Sequence, residues 1–508
     1  MLNFVVRRLI ASVFVLLGAS FIIYVLAANA GDPLEDLRSS TAPNRDALIA
    51  ARSELLNLDV PPPARYFLWL SGVLAVFVGK FDLGTTIQGV NVIDLVGNAM
   101  WQTIQLVTIA TIIAVVIGVA VGMTTALRQY SGYDYTVTFL SFLFFSLPVF
   151  FVAVLLKQYV AIGFNDFLSD PTIPPLIIAG VAVVSGFIWM SIIGGEGKPR
   201  LIVFGAVTLI TAGILFYLVA TDWFTRPGLG IVLIAGLGAL GGVVITSLTT
   251  GLRNRRALYA SLGTAVAGAL LSYPLQYVLT IRAQAWLPIL LIVLFAVLAG
   301  IVGYLVGQND KAVAARTAGI TGAFSAALIV IDRVMQSWPD YVINTGGRPI
   351  ATIGASTPGL EGSIWQTILD TSTHLVLPTI TLLLISVASY SRYSRASLLE
   401  VMNQDYVRTA RAKGLTERTV VMRHAFRNAM IPVITIIAFD VGGLIGGAVI
   451  TESIFAWKGM GSIFQDSLTH IDLNPLMAFI LITSALAVLF NLIADLLYSV
   501  LDPRIRIS

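Results

Sequence analysis

The sequence is dominated by long apolar runs, each long enough to cross a lipid bilayer as an α-helix. A spanning helix requires ~20 mostly apolar residues, whereas a strand of a membrane β-barrel shows ~10 residues of alternating polarity. Charged residues form only 11% of the 508, against ~25% in soluble domains. The sequence therefore predicts an all-α polytopic membrane protein. About twelve spans are expected, near residues 9–28, 100–126, 135–162, 173–194, 201–221, 229–249, 258–281, 286–307, 317–335, 374–391, 429–452 and 476–499.

The loops between these runs differ in charge, and the difference predicts orientation. Lys and Arg accumulate in cytoplasmic loops of membrane proteins. If the N-terminus is inside, the inner loops hold the dense segment 392–427 together with Arg128, Lys198, Arg200, Arg253, Arg255, Arg256, Lys311, Arg316, Arg504 and Arg506. The short outer loops hold Asp166, Asp170, Asp222, Arg226 and Arg282. We therefore expect a multi-pass protein with both termini in the cytoplasm.

Several kinds of chemistry are excluded by residues that the sequence lacks. It contains no cysteine and only three histidines, far apart, so we expect neither a disulfide nor a metal site. The phosphate-binding motif GxxxxGK[ST] is absent, because Gly79-Lys80 is followed by Phe and Gly197-Lys198 by Pro. Without that phosphate cradle the chain is not expected to hydrolyse ATP. We predict no catalytic residues and no cofactor bound to this chain.

The densest charge lies in the segment DYVRTARAKGLTERTVVMRHAFRNAMIP, residues 405–432. Ser394 to Ala412 contains helix-forming residues without a breaker, which predicts one continuous helix. Gly414 suits a left-handed cap at its end, and Thr416 suits the N-cap of a second helix. This second helix is expected to run to about Met430 and to stop at Pro432, where the next span begins.

Three interpretations of this basic loop compete. It can determine topology and contact anionic lipids, bind nucleic acid, or dock into a groove of another protein. Nucleic acid is disfavoured, because Tyr406 and Phe426 are the only rings near the charges and stacking needs aromatic side chains. The residues of the loop leave the lipid and docking interpretations open.

Motifs along the chain narrow the choice. YVRTARAKGL and RHAFRNAMIPV in the loop resemble the cytoplasmic loop of the dipeptide and oligopeptide permeases of ATP-binding-cassette importers, which are close to nickel and glutathione permeases. FVVRRLIASVFVLLGASFIIYVL, LNLDVPPPARYFLWLSGVL, FDLGTT, THLVLPTITL, VGGLIGGAVITESIFAWKGMGSIFQDSL and DLLYSVLDPRIR are similar to other parts of that family. The resemblance covers about residues 1–160 and 360–508.

The resemblance implies a type I importer permease with a core of about six membrane helices that pairs with a second, homologous permease subunit. The basic loop would be the coupling helix, which docks on one or two cytoplasmic ATPase subunits that bind ATP and Mg. The implied coupling residues are Arg408, Ala410, Arg411, Ala412, Lys413, Gly414 and Leu415. Arg408-Thr409-Ala410 stands where the wider superfamily has Glu-Ala-Ala, so no glutamate salt bridge to the ATPase is expected.

The same resemblance implies an extracytoplasmic substrate-binding protein, import as the direction of transport, and the cell membrane of a prokaryote. Relative to the family, about 180 residues with six extra spans intervene in the middle. The implied domains are 1–31, a first helix; 32–98, an extracytoplasmic element; 99–164, core helices two and three; 165–342, the inserted block; 343–373, an extracytoplasmic loop; and 374–508, core helices four to six with the coupling loop 392–428.

Ionisable residues inside spans are expensive and are candidates for function. Asp440, with the close-packing Gly442 and Gly443, is the candidate for the translocation path, the alternative being a structural hydrogen bond to the second permease. Glu452 is the candidate for docking of the binding protein. Asp332 and Arg333, near the outer end of the last inserted helix, are expected to pair locally or to face water.

The leading hypothesis is therefore a permease subunit for ATP-driven uptake of short peptides, with nickel or glutathione as alternative solutes. A self-sufficient secondary transporter of about twelve helices is the rival from another class, although such proteins usually show internal repeats. A membrane enzyme would require clustered His, Asp or Glu, which the sequence does not show.

Overall fold

The chain folds into long α-helices, described by a computed structural model for residues 2–193 and 197–501. Twelve helices in these ranges are long and apolar enough to span a membrane. We label them α1 Val6–Ala28, α2 Val92–Leu127, α3 Val149–Ser169, α4 Pro175–Ile193, α5 Lys198–Ala220, α6 Gly230–Thr249, α7 Arg255–Ile281, α8 Leu287–Val306, α9 Lys311–Asn344, α10 Ile364–Met402, α11 Glu417–Gly443 and α12 Leu473–Leu496. The predicted all-α polytopic class is confirmed for the described residues.

Shorter helices connect the spans. They are Glu35–Arg38, Arg45–Leu55, Pro62–Leu74, Gly132–Ser146, Asp405–Ala412, Val449–Ile454 and Met460–His470. The predicted basic residues Arg504 and Arg506, the C-terminal end of the tail motif and residue 194 lie outside the described residues. Several helices begin at a capping side chain: the Asn91 carboxamide accepts a hydrogen bond from the backbone N–H of Ile93, and Asn254 does the same for Ala257.

Three boundary predictions are wrong. The expected span 135–162 is broken by extended backbone at Leu147 and Pro148, so it forms most of the helix Gly132–Ser146 and the first part of α3. The expected helix from Ser394 to Ala412 is interrupted between α10 and Asp405–Ala412. Pro432 does not end a helix but lies inside one, because α11 continues past it. Proline is tolerated within a membrane helix where neighbouring groups satisfy the freed carbonyl.

The centre of the fold is the contact between α2 and α10, which small residues bring close together. A Cβ atom built at Gly118 would lie 2.7 Å from the Cβ of Tyr390, and one at Gly122 would lie 2.8 Å from the Cβ of Ser394. Glycine therefore permits the helix backbones to approach, as is usual in membrane bundles. α11 and α12 pack against each other and against this pair.

The basic loops meet at one end of the molecule, which we call the basic end. The Arg395 guanidinium donates two hydrogen bonds to the Asp134 carboxylate, at 3.0 and 2.9 Å. Arg128 donates to the carbonyl of Ile192 at 3.0 Å, and Arg418 donates to that of Ser247 at 2.5 Å. These contacts join the loops of the core and of the predicted inserted block, and the side of the membrane on which they lie remains a prediction.

The predicted inserted block consists of two packed groups. α4 and α5 form a hairpin that touches the helix Gly132–Ser146, while α6 to α9 form a bundle beside α10. At the end away from the basic loops, Trp365 of α10 donates its ring N–H to the carbonyl of Leu279 at 3.0 Å. The bundle is therefore attached to the core at both ends. The domain boundaries themselves remain predictions.

A substitution on α11 tests the packing of that helix against α12. A Cβ at Gly442 would lie 3.2 Å from the Cα of Ala487, whereas one at Gly443 meets nothing within 4 Å. We expect Gly442→Leu to lower the stability of the purified chain by about 1–3 kcal/mol through overpacking, and Gly443→Leu to have little effect. Thermal unfolding in detergent measures both, and equal midpoints for the two variants would show that this contact is absent.

Candidate functional site

The basic loop forms an elbow at Gly414. Its φ of +78° lies in the left-handed region, which glycine adopts without strain. Thr416 has extended backbone before α11, as expected of an N-cap, but its side chain does not cap the helix; the hydroxyl is hydrogen-bonded to that of Thr419 at 2.9 Å. The predicted elbow is therefore confirmed, and side-chain capping by Thr416 is not observed.

The elbow is exposed, but its base is packed. Residues 411–418 are all exposed in a continuous stretch. Behind them, Val407 is 0% and Ala410 5% exposed, because both contribute to an apolar cluster with Ala126, Leu398, Val420, Ala425 and Ala429. Six of the seven predicted coupling residues thus face outward, and Ala410 faces inward. A role for Ala410 would be to hold the loop rather than to contact a partner.

An ion pair braces the elbow. The Arg411 guanidinium donates hydrogen bonds to both carboxylate oxygens of Glu417, at 3.1 and 2.7 Å. Both side chains are exposed, so the pair contributes little stability. Its two-point geometry nevertheless fixes how the two arms of the elbow meet. Arg408, Lys413 and Leu415 remain available at the surface.

The predicted translocation residues lie on α11. Asp440 is half-buried and lies next to the buried Tyr390 of α10. Gly442 is buried against α12, while Gly443 is exposed. Within the described residues, α11 therefore presents Asp440 and Gly443 partly outward and uses Gly442 for packing. Their role in a translocation path remains a prediction.

Glu452 lies at the opposite end from the basic loop and is fully buried, at 0% exposure. Its carboxylate accepts a hydrogen bond from the Thr103 hydroxyl at 2.7 Å and one from the backbone N–H of Gly461 at 2.7 Å. Thr103 in turn accepts from the N–H of Met460 at 2.8 Å. The side chain thus fastens the segment 455–461 to α2. A docking role would be indirect, through this segment, and remains a prediction.

A cavity of about 760 Å³ opens beside this segment. Its lining includes Glu452, Lys458, Gln465, Asp466, His470 and Asp472. The Asp472 carboxylate accepts a hydrogen bond from the N–H of Ile87 at 2.9 Å, which fastens the loop before α2 to the start of α12. Burial raises the pKa of Asp472 to about 6.

This pKa predicts a pH dependence. The folded pKa of Asp472, about 6, lies above the ordinary value of 3.8. The stabilisation of the folded chain by the protonated carboxyl is therefore complete below pH 3.8 and is lost as the pH rises through 6. The difference corresponds to about 3 kcal/mol. We expect Asp472→Asn to reduce the loss of thermal stability between pH 4.5 and 7.5, and Asp466→Asn, at an exposed position, to leave it unchanged. An identical pH slope in wild type and Asp472→Asn would contradict the assignment.

Two buried acidic side chains have partners that the sequence did not identify. For Asp332, the expected local partner is present in Gln336, four residues further along the same chain segment, and the alternative of facing water is wrong. Asp332 accepts hydrogen bonds from the N–H groups of Leu229 and Gly230 and from the amides of Gln276 and Gln336. Asp134 pairs with Arg395 across 261 positions. The acidic residue inside a mostly apolar helix was a signal for each, but the sequence did not indicate the partners.

The fold defines a multi-pass helical membrane protein with an exposed basic elbow. Residues 281–507 match the family model described as a binding-protein-dependent transport system inner membrane component. The match covers less than half of the chain, and over this range the chain is similar to membrane components of transport systems. The match begins inside the block predicted to be inserted and covers the elbow, α10, α11 and α12.

Individual curated proteins are also similar to this chain. The oligopeptide transport system permease protein OppB of Mycobacterium bovis is 38% identical over 183 residues, 36% of this chain and 55% of OppB. AppB, an oligopeptide permease of Bacillus subtilis, is 44% identical over 164 residues, 32% and 50% of the two chains. DppB, a dipeptide permease of Escherichia coli, is 44% identical over 150 residues, 29% and 44%. The chain thus spans about half the length of these relatives, and the predicted resemblance to peptide permeases is confirmed.

Proposed function

We propose that this chain is the transmembrane permease subunit of an ATP-driven importer of short peptides. The observation that carries the proposal is the exposed elbow at residues 411–418, packed from behind and carried by α10 and α11. This shape suits insertion into a groove of a soluble partner. The family match over these helices and the names of the relatives support peptide transport as the activity.

The proposal requires partners. A cytoplasmic ATPase subunit, or a pair of them, would bind ATP and Mg and receive the elbow through Arg408, Arg411, Ala412, Lys413, Gly414 and Leu415. A second, homologous permease would complete the path beside Asp440 and Gly443. An extracytoplasmic binding protein would deliver the peptide to the end that carries Glu452. The chain would lie in a prokaryotic cell membrane with both termini in the cytoplasm.

Isolation of the intact complex tests the function. The chain is purified from its native membrane in gentle detergent, and its partners are identified by mass spectrometry. We expect a second permease-like chain and a soluble chain that carries GxxxxGK[ST], and we expect vesicles containing the complex to accumulate labelled dipeptides only with ATP. A chain that purifies alone and moves solute without ATP would instead be a secondary transporter.

A further inference from the structure

A second surface lies at the basic end, in a groove between the elbow and the end of α6. The groove has a volume of about 960 Å³. One wall comes from the predicted inserted block, at residues 248–251, and the other from the core and the elbow. Arg418 crosses the groove to reach the carbonyl of Ser247. The feature is therefore built jointly by the two parts of the chain.

The walls of the groove are apolar where the spans end. Leu127 at the end of α2 is 48% exposed, Leu248 at the end of α6 is 73% exposed, and Met422 on α11 is 53% exposed. Large apolar side chains at this level of a membrane protein are covered by acyl chains rather than by water. This wall is therefore continuous with the lipid-facing surface of the spans.

The rim of the groove is cationic. It carries Arg411, Arg418 and Arg423 against a single carboxylate, that of Glu417, so its formal charge is +2. Glu417 is engaged by Arg411. Among the described residues, no carboxylate forms an ion pair with Arg418 or Arg423, and Arg253 and Arg255 lie exposed on the adjoining turn. The rim therefore has unneutralised guanidinium groups.

We propose that this groove binds an anionic phospholipid of the cytoplasmic leaflet. Arg418 and Arg423 would donate hydrogen bonds to the lipid phosphate, as guanidinium groups do to phosphates elsewhere, and the acyl chains would lie along Leu127 and Leu248. Basic pockets between spans on the cytoplasmic side bind anionic headgroups in this manner. The lipid would join the predicted inserted block to the elbow, and this gives those additional helices a function.

A phospholipid fits this surface better than a soluble phosphate or a protein segment. A free phosphate would use the cationic rim but leave the apolar wall exposed. A segment of a soluble protein would have to enter at the level where the spans end. Only an amphiphile with an anionic head matches the cationic rim and the apolar wall at once.

Native mass spectrometry of the full-length chain tests the proposal. The chain is reconstituted in phosphatidylcholine with an admixture of phosphatidylglycerol, released into detergent, and its retained lipids are counted. We expect preferential retention of phosphatidylglycerol. In the double variant Arg418→Gln/Arg423→Gln we expect about tenfold to thirtyfold weaker retention, because each arginine near an anionic surface contributes a factor of about three to five. The matched control is Arg427→Gln, an exposed arginine of the same loop outside the groove, which should retain the lipid.

Three results would overturn the proposal. The first is equal retention of phosphatidylcholine and phosphatidylglycerol by the wild-type chain, a comparison that needs no variant to fold. The second is displacement of the lipid by glycerol phosphate at matched concentration, which would indicate a soluble-phosphate site. The third is absence of retained phosphatidylglycerol from the intact complex with its ATPase, which would indicate that a protein segment fills the groove.

Discussion

A Gly414→Val substitution is expected to abolish uptake while the chain remains folded in the membrane. The backbone φ of +78° at Gly414 is left-handed, and an L-residue there costs ~1–2 kcal/mol, with a β-branched side chain at the upper end. A Cβ at this position meets nothing within 4 Å. The effect therefore comes from the backbone alone. We expect the ratio of chains with the bent elbow to chains without it to fall by at least about tenfold. Uptake and ATP hydrolysis by the reconstituted complex measure it.

Two further variants separate the elbow from general strain. Gly347 has a φ of +80° and open space around it, but lies in the loop before α10, so Gly347→Val should leave ATP hydrolysis coupled to transport. Asn tolerates the left-handed region better than other non-glycine residues, so Gly414→Asn should retain part of the uptake. Full uptake by Gly414→Val would show that the elbow conformation is unnecessary for coupling.

Replacement of Glu452 by leucine is expected to release the segment 455–461 from α2. Without the carboxylate, the N–H of Gly461 and the hydroxyl of Thr103 lose their partner in a fully buried setting. Each unpaired group costs ~1–3 kcal/mol, or about 2–6 kcal/mol together. We expect hydrogen exchange at the Gly461 amide to accelerate by at least about thirtyfold. Stimulation of ATP hydrolysis by the binding protein should fall with it.

The control for this variant is Asp466→Leu. Asp466 lines the same cavity but is exposed, so its replacement removes a negative charge without leaving a buried group unpaired. Exchange at Gly461 should be unchanged in this variant. Unaltered exchange in Glu452→Leu would mean that the carboxylate does not hold the segment.

The number of spans could be predicted from the sequence because most of them are apolar runs of sufficient length. The helix breaks were harder to predict. Pro148 carries a local signal that explains the break before α3, but the interruption at Asn403 and Gln404 occurs between residues compatible with a helix. At Pro432 the sequence predicted a helix end that the structure does not have. α11 is irregular before the proline, with a π-helical turn at Val420–Ala425, and continues through it. Local sequence does not specify how neighbouring helices absorb such irregularities.

Only those features of the candidate site that depend on local sequence could be predicted. The left-handed Gly414 follows from a local motif, and its exposure follows from the charges around it. The inward direction of Ala410 depends on contacts with Ala126 and Leu398, which are distant in sequence. Burial of Glu452 depends likewise on Thr103, 349 positions away. Local patterns indicate which segments are unusual, and the tertiary contacts decide which side chains remain available to a partner.

Site-specific cross-linking tests the central claim, that the elbow docks on an ATPase, most directly. The chain has no cysteine, so Lys413→Cys introduces a single thiol at the exposed elbow, and Lys458→Cys introduces one at the opposite end. In the purified complex, we predict that Lys413→Cys joins covalently to the chain bearing GxxxxGK[ST] with a short bifunctional reagent and that Lys458→Cys does not. Absence of that product for Lys413→Cys in an intact, ATP-hydrolysing complex would contradict the account.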